Sequence, residues 1–453
     1  MRYTLFLFVL LALLVGCVRL PSVKMDVPNK YLYSSNWNSD SLGYDVKWWH
    51  YFADTILNQL QERALSGNFD LAVAASKVEA ARLNLKVARA KYLPELYMKG
   101  DATVAKSPLQ GRYNNYDISA GVSWELPLFG ALRSTKMASR AEIYSSEWAF
   151  RGVLLSLTAE VATTYFSLLE ALESLNISML TIESRRASAA LIDSMSRHGM
   201  ASGIDRRQAY SLLYSSQADS ASYSAMVRES LISLQILFGE MPSLEDVECW
   251  QGRLLATKLT SDMSIGVPSQ LLERRPDVMQ AMFAADAAAA RVGLARAARF
   301  PAVNLALGMG LLSNTIEGLT SGSPWNWSIA GSVVQPIFSF GALRGSENIA
   351  KESYYQALFL YEKSFVAAVA EVDEALLQIA SVEDELSSVE RLAKSNIEIA
   401  ELTRALYRNG LSAYLDVLDA ERSRYESSQQ LVKLRAQQCQ NYVALFKALG
   451  GGW

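Results

Sequence analysis

Two stretches of this chain, SRHGMASGIDRRQAY at 196–210 and YRNGLSAYLDVLDAE at 407–421, are versions of one another, with Gly199 matching Gly410, Ser202 matching Ser412 and Asp205 matching Asp416. Each sets a Gly inside a helix-forming run and follows it with an acid suited to the first turn of a new helix. The duplication extends well beyond the turn. ARAKYLP at 88–94 returns as ARAARFP at 295–301, PLFGALR at 127–133 returns as PIFSFGALR at 336–344, and the halves end on Leu-Phe-Gly at Gly239 and Ala-Leu-Gly at Gly450. Landmarks repeated in one order mean two copies of one structural unit.

Between the Pro landmarks of each copy the apolar period changes from helical to two. Leu96, Met98, Gly100, Ala102 and Val104 alternate with Tyr97, Lys99, Asp101 and Thr103, and a second row runs Tyr116, Ile118, Ala120, Val122, Trp124, Leu126. The second copy has Val303, Leu305, Leu307, Met309 and Leu311 in one row and Trp325, Trp327, Ile329, Gly331 and Val333 in another. These rows predict four strands of about 10 or 11 residues, in hairpins near 94–127 and 301–336, with AKSPLQGRYNN and SNTIEGLTSGSP as loops. That length crosses a bilayer in a tilted barrel, and Tyr92, Tyr116, Trp124, Trp325 and Phe338 stand near strand ends as interfacial aromatics do. A soluble sandwich with one buried face would alternate in the same way. In the barrel reading one chain cannot close the ring, because open edges are not tolerated in lipid; two, three or four copies would give about 8, 12 or 16 strands.

The remainder reads as helix. From Ala131 to about Arg197 and from Ala342 to about Arg408 there is no Pro, and apolar residues recur at spacings of three or four, as at Val369, Val372, Leu376, Ile379, Val382, Leu386 and Val389. Two helices of roughly 67 residues, each about 100 Å long, follow from this. The chain returns along Asp205–Phe238 and Asp416–Leu449, about half that length, so helices over 66–91 and 268–298 stack end to end with them.

Residues 1–17, MRYTLFLFVLLALLVGC, read as a secretory signal, with Arg2 ahead of an apolar run too short to span a bilayer. The LVGC ending resembles a lipobox, in which Cys17 is lipidated and becomes the mature N-terminus; the plain alternative is an ordinary signal with an incidental Cys. No later run of about 20 uninterrupted apolar residues predicts a membrane helix. Residues 18–52 read as an N-terminal tether.

A net charge of −3 gives no basic field for nucleic acid, and two His, His50 and His198, with three Cys leave few candidates for a metal centre or a His-based catalytic site. The expectation is no metal, no cofactor and no enzyme; no GxxxxGK[ST] motif occurs. Cys249 and Cys439 either pair or stay as buried thiols.

Four pieces in order, WWHYFADTILNQLQERAL at 48–65, LLERRPDV at 271–278, the two Pro-bounded hairpins and YRNGLSAYLDVLDAE, resemble the TolC-type outer-membrane factor family and its lipoprotein branch, the NodT/OprM-like exit ducts of tripartite efflux systems. The resemblance covers nearly the whole mature chain. It implies an α+β membrane protein in which a long antiparallel α-helical barrel continues a trimeric transmembrane β-barrel, each chain giving four strands from two internal repeats. Repeat 1 would span 53–239 and repeat 2 268–450, joined by a connector at 240–267 in a belt around the middle of the helices. The implied partners are two further copies in a homotrimer, outer-membrane lipid, a periplasmic adaptor (membrane fusion protein) and an inner-membrane pump of the RND type. The implied location is the cell outer membrane, anchored at Cys17, with a long periplasmic extension. An exit duct for type I protein secretion has the same architecture, and a non-channel coiled-coil lipoprotein is the remote alternative.

The resemblance also assigns residues. Asp416 and Asp419 match two aspartates that line the closed aperture of the family, and Tyr407 with Asp205 matches a closing pair, implying a hydrogen bond between neighbouring helices. The family's latch arginine is replaced by Ser412, leaving Arg206 or Arg408 to substitute. The turns Gly199, Met200, Ser202 and Gly410, Leu411, Ser412 are expected to face the adaptor. Trp48 and Trp49 read as packing anchors, Arg274, Arg275 and Asp277 as a helix start, and His198 as a polar tip residue.

Overall fold

The structure is a computed structural model that describes residues 27–34, 37, 47–108, 111–243, 250–257, 265–321 and 325–451. Among the described residues, seven helices longer than one turn and four strands follow in the order α1 (Thr55–Gly67), α2 (Phe69–Ala90), β1 (Glu95–Ser107), β2 (Gly111–Glu125), α3 (Ala131–Arg197), α4 (Gly203–Leu237), α5 (Pro276–Ala297), β3 (Ala302–Ser313), β4 (Trp325–Val334), α6 (Ala342–Arg408) and α7 (Tyr414–Ala448). The chain divides into two compact units, one formed by 81–144 with 281–362 and the other by 28–80, 145–280 and 363–453.

The first unit holds one antiparallel sheet in the order β1-β2-β3-β4. Its register aligns the four apolar rows. Leu96 pairs with Val122, Val122 with Leu307 and Leu307 with Ile329, while the next rung is Met98, Ala120, Met309, Trp327. Side chains on a strand alternate faces, so these rungs share one apolar face and Lys99, Ser119, Gly310, Asn326 share the other. Tyr97 lies across Gly121, where a Cβ would come within 2.6 Å of its ring. The sheet has two free edges, β1 and β4, and β4 is exposed along its whole length, with Trp325 at 70% and Trp327 at 77%.

The strands of the first hairpin are longer than their apolar period. β1 has 13 residues and β2 15, because the ladder continues through Ala105↔Tyr113 and Lys106↔Arg112, residues assigned above to a loop. Cross-strand hydrogen bonds hold these rungs where no buried face is needed. At the other end Trp124 Nε1 donates to the Tyr92 carbonyl at 3.0 Å, and Phe129 stacks on Phe300 with centroids 5.6 Å apart. Among the helices of this unit, Ala288 and Val292 of α5 pack with Tyr354 of α6.

In the second unit several described residues of the expected 18–52 tether are part of the core. Trp48, Trp49 and Phe52 are buried in a short 3₁₀ turn, Trp48 stacks on Phe446 at 5.2 Å, and burial of each large side chain contributes roughly 1.5–3 kcal/mol. Further upstream Tyr31 is buried, and the Leu32 amide donates to Asp373 Oδ1 at 2.6 Å. Asp54 caps α1 by accepting from the Ile56 and Leu57 amides, and its second oxygen accepts from Tyr165 Oη at 2.8 Å. An 18-residue window of α3 has mean hydropathy 1.4, enough for a membrane span by composition; more than half of it is buried in the protein, as a core helix requires.

Helices expected over 66–91 and 268–298 each break where the next repeat element begins. Asn68, extended at ψ 128°, separates α1 from α2, and Pro276 holds Arg275 extended at ψ 122°, so only a 3₁₀ turn and the one-turn helix Leu271–Arg274 precede α5. The returning helices dock at these breaks. Asn68 Nδ2 donates to the Leu237 carbonyl at the end of α4 (2.9 Å) while its Oδ1 caps α2 through the Leu71 amide. Arg275, also buried, donates to the Ala448 carbonyl at the end of α7 (3.1 Å), to Glu371 and to both oxygens of Asp277.

Candidate functional site

The two helix reversals have one backbone geometry. The amide of Met200 donates to Met195 O at 2.8 Å and that of Leu411 to Leu406 O at 2.9 Å, six-to-one bonds that close α3 and α6 around Gly199 (φ 71°) and Gly410 (φ 70°). A Cβ on either Gly would meet open space, so the left-handed backbone alone calls for glycine. Met200 and Leu411 project outward and are exposed. His198 closes the same turn through Nδ1 to the Ser194 carbonyl.

The helices that leave the turns are capped unequally. Ser202 Oγ accepts from the Asp205 amide at 3.0 Å and Asp205 Oδ2 accepts from the Ser202 amide at 3.0 Å, a reciprocal capping box. In repeat 2 the equivalent N-cap is Ala413, not Ser412: Asp416 Oδ2 accepts from the Ala413 amide at 3.1 Å, and since the alanine side chain has no oxygen the Asp416 amide donates to the Ala413 carbonyl instead, at 3.2 Å. The match of Ser202 to Ser412 is therefore corrected by one residue. Ser412 lies ahead of the cap with its buried hydroxyl unbonded among the described residues.

Beneath the turns Ala189 and Ile192 of α3, Ala209 and Leu213 of α4, and Tyr414, Val417 and Leu418 of α7 form one apolar cluster. Val417 and Leu418 turn inward from α7, and Asp416 and Asp419 lie on its exposed side together. Asp419 has Arg422 Nη1 at 3.8 Å, a loose exposed pair.

The expected bond between Tyr407 and Asp205 is absent within the protomer. Tyr407 Oη donates to Met195 Sδ at 3.8 Å and its ring packs 5.5 Å from Tyr414, while the Asp205 carboxylate is used by its own helix cap. The aspartate is still near enough to act through charge: burial first and then Asp205 raise the Tyr407 phenol above its ordinary range. Arg206, one of the two residues left to substitute for the latch arginine, is engaged within the protomer. It pairs with Asp193 of α3 at 2.6 Å, and Asp193, nearly buried, also holds Arg197. Repeat 2 has a different clasp that sequence reasoning missed, in which Arg404 of α6 pairs with buried Glu421 of α7 and Arg424 lies 3.5 Å from the same carboxylate. Spacing hints at the 421/424 pair; the partner across the turn depends on how α6 and α7 align. Arg404, Arg408, Tyr407, Ser184 and Ser188 line a cavity of about 250 Å³ beside the cluster.

Cys439 is a free thiol inside α7, and burial pushes its pKa up to about 12, so it is inert. Cys17 and Cys249 lie outside the described residues.

A chain with two long helices and a four-stranded sheet of this kind has known counterparts. The family model described as outer membrane efflux protein matches residues 60–240 and 267–451. The cation efflux system protein CusC of Escherichia coli O6:H1 is 31% identical over 97% of this chain and 96% of its own length. The toluene efflux pump outer membrane protein TtgF of Pseudomonas putida is 32% identical over 90% of this chain and 86% of its own. The open-state MtrE outer membrane channel of Neisseria gonorrhoeae superposes with a TM-score of 0.84 at 28% identity, covering 96% of this chain and 98% of that one. The chain belongs to the outer membrane efflux protein family, whose members are channels of the outer membrane.

Proposed function

We propose that three copies of this chain form the passive exit duct of a tripartite efflux pump, performing no chemistry and conducting cargo delivered by an inner-membrane transporter through a periplasmic adaptor. The observation that carries the reading is the sheet register: one continuous apolar face, one polar face and two free edges suit a strand ring with lipid outside and water within. Three copies would give about 12 strands, a ring wide enough for an aqueous lumen. Detergent-solubilised protein should have the mass of three protomers and conduct in planar bilayers. A different mass would end the trimer, and no conductance even in tip variants would end the duct.

Cargo is not chosen by likeness, since the names of CusC and TtgF concern cations and toluene at nearly equal identity. Choice is assigned to the pump, an inner-membrane transporter of the RND type, and the lipobox at Cys17 favours small-molecule efflux over type I protein secretion. Cys17→Ser should abolish lipid attachment while the strands keep the protein in the membrane; full lipidation of that variant would refute the anchor.

At the tip, Asp416 and Asp419 of three copies would form two acidic rings. Removing Asp416 also removes the carboxylate that accepts from the Ala413 amide at the start of α7, so charge and fold must be separated. Asp416→Ala with Asp419→Ala, made in an Ala413→Ser background that restores a cap, should weaken divalent-cation block of the current. Unchanged block removes the rings and leaves the duct. Gly410→Asp should abolish drug resistance with the trimer still in the membrane, because Leu411 and Met200 present the outward surface that an adaptor would meet.

A further inference from the structure

Repeat 2 leaves its sheet differently from repeat 1. Leu126-Pro127-Leu128-Phe129-Gly130 is compact, with Phe129 stacked on Phe300; its counterpart Gln335-Pro336-Ile337-Phe338-Ser339-Phe340-Gly341 is two residues longer and turns its apolar side chains outward. Ile337 is 93%, Phe338 73% and Phe340 90% exposed, the two rings meet edge to face at 4.5 Å, and Phe340 holds φ 49°, a left-handed backbone that bulky side chains rarely adopt. An exposed aromatic pair with one member on a strained backbone calls for an occupant.

We propose that Ile337–Phe340 is a clasp that closes on the Tyr92–Leu93 corner of an adjacent copy of this chain, where β4 of one copy pairs with β1 of the next; this rests on the closed strand ring proposed above.

Geometry selects that corner. β4 has 10 residues and β1 has 13, and strand direction alternates across the sheet, so β4 of one copy runs antiparallel to β1 of the next. If every residue of β4 is paired, Val334 must lie opposite one of the residues from Glu95 to Met98. Continuity of the apolar face allows only odd-numbered partners for Val334, Glu95 or Tyr97, because the apolar row of β4 is odd-numbered and that of β1 even-numbered. Beyond Val334 the chain then passes Pro94, Leu93 and Tyr92 of its neighbour. Pro336 and Pro94 lack amide hydrogens, so the ladder stops there and side chains must continue the contact. Leu93 is exposed, while Trp124 holds the adjacent Tyr92 carbonyl, giving the clasp an apolar and fixed seat. A fluid acyl surface would cover the same aromatics but offers nothing rigid to hold Phe340 in its strained conformation.

Disulfide trapping tests this in full-length protein in its native membrane. Leu93→Cys with Phe338→Cys should convert most of the protein to covalent multimers on non-reducing gels, with neither single variant doing so. Leu93→Cys with Leu128→Cys, which places the thiol on the equivalent linker of the internal seam, should stay at the background of the singles. Within the strands, Leu96→Cys with Val333→Cys should cross-link if Val334 faces Glu95, and Met98→Cys with Val333→Cys if it faces Tyr97. Cross-linking of a strand pair without the 93–338 pair, together with labelling of Phe338→Cys by a lipid-phase maleimide, would overturn the clasp and leave the ring. Absence of every cross-link in a protein that stays monomeric in the membrane would overturn both.

Discussion

The two repeats share a backbone and differ in what holds it. Both reverse at a left-handed Gly with the same six-to-one bond, and both return a helix of 35 residues to the break before the next element. Repeat 1 closes its returning helix with a neutral amide at Asn68 and its tip with a full capping box and an acid, Asp193, between two arginines. Repeat 2 uses a buried guanidinium, Arg275, at the first place, and at the second half a capping box with the polarity of the clasp reversed, Arg404 standing between α6 and the acid Glu421 of α7. A duplicated fold needs its orphan carbonyls and amides satisfied at each equivalent point; the chemistry that does so is free to diverge.

The largest test of that divergence lies at the returning helices. Arg275→Ala removes the donor to Ala448 O and frees Glu371 and Asp277, both about half exposed and so able to take up water. The expected loss is about 2–3 kcal/mol, below the roughly 3–5 of a fully buried broken pair. Asn68→Ala should cost about 1–2 kcal/mol, the range of a lost cap and one unsatisfied carbonyl. Thermal unfolding midpoints of the solubilised protein rank the two. Equal shifts would mean that the charge adds nothing over the amide.

The turns themselves should behave alike. Gly199→Ala and Gly410→Ala place a Cβ on a left-handed residue in open space, so each should cost about 1–2 kcal/mol, with no steric difference between them. A marked inequality in the same midpoints would show that one turn relaxes away from its glycine, and would break the equivalence of the reversals.

What the sequence disclosed divides along the same line between local and non-local signals. Helix ends were legible nearly to the residue, at Ala131, Arg197, Ala342 and Arg408, because Gly and Pro act on their own neighbourhood. The apolar face of the sheet was legible as four rows, and the register followed from the need to align them. Strand length was not, since Lys106↔Arg112 and its neighbours are held by a ladder that leaves no apolar period. At the tip, identity of letters misled: Ser412 resembles Ser202, while equal spacing from the Gly selects Ala413. Side-chain partners across helices, Tyr407 with Met195 and Arg404 with Glu421, depend on how far each helix is rotated, which one strand of sequence does not encode locally.

The smallest expected effects lie at the caps and have opposite signs. Ser202→Ala removes the Oγ acceptor of the Asp205 amide and reduces repeat 1 to the half-box that repeat 2 already has, at a cost of about 1 kcal/mol. Ala413→Ser offers a side-chain acceptor to the Asp416 amide, which in the present structure donates to the Ala413 carbonyl at 3.2 Å; the backbone permits the exchange because Ala413 has φ −78° and ψ 155°, nearly the −76° and 156° of Ser202. That variant should gain about 0.5–1 kcal/mol, the lower part of the N-cap range for an exposed site. Hydrogen exchange at the first-turn amides separates local capping from global stability: protection should fall at Asp205 in the first variant and rise at Asp416 in the second. No gain at Asp416 would mean that the backbone of the second turn, despite its dihedral match, does not offer its amide to a hydroxyl, and the half-box would then be a consequence of geometry and not of the missing oxygen.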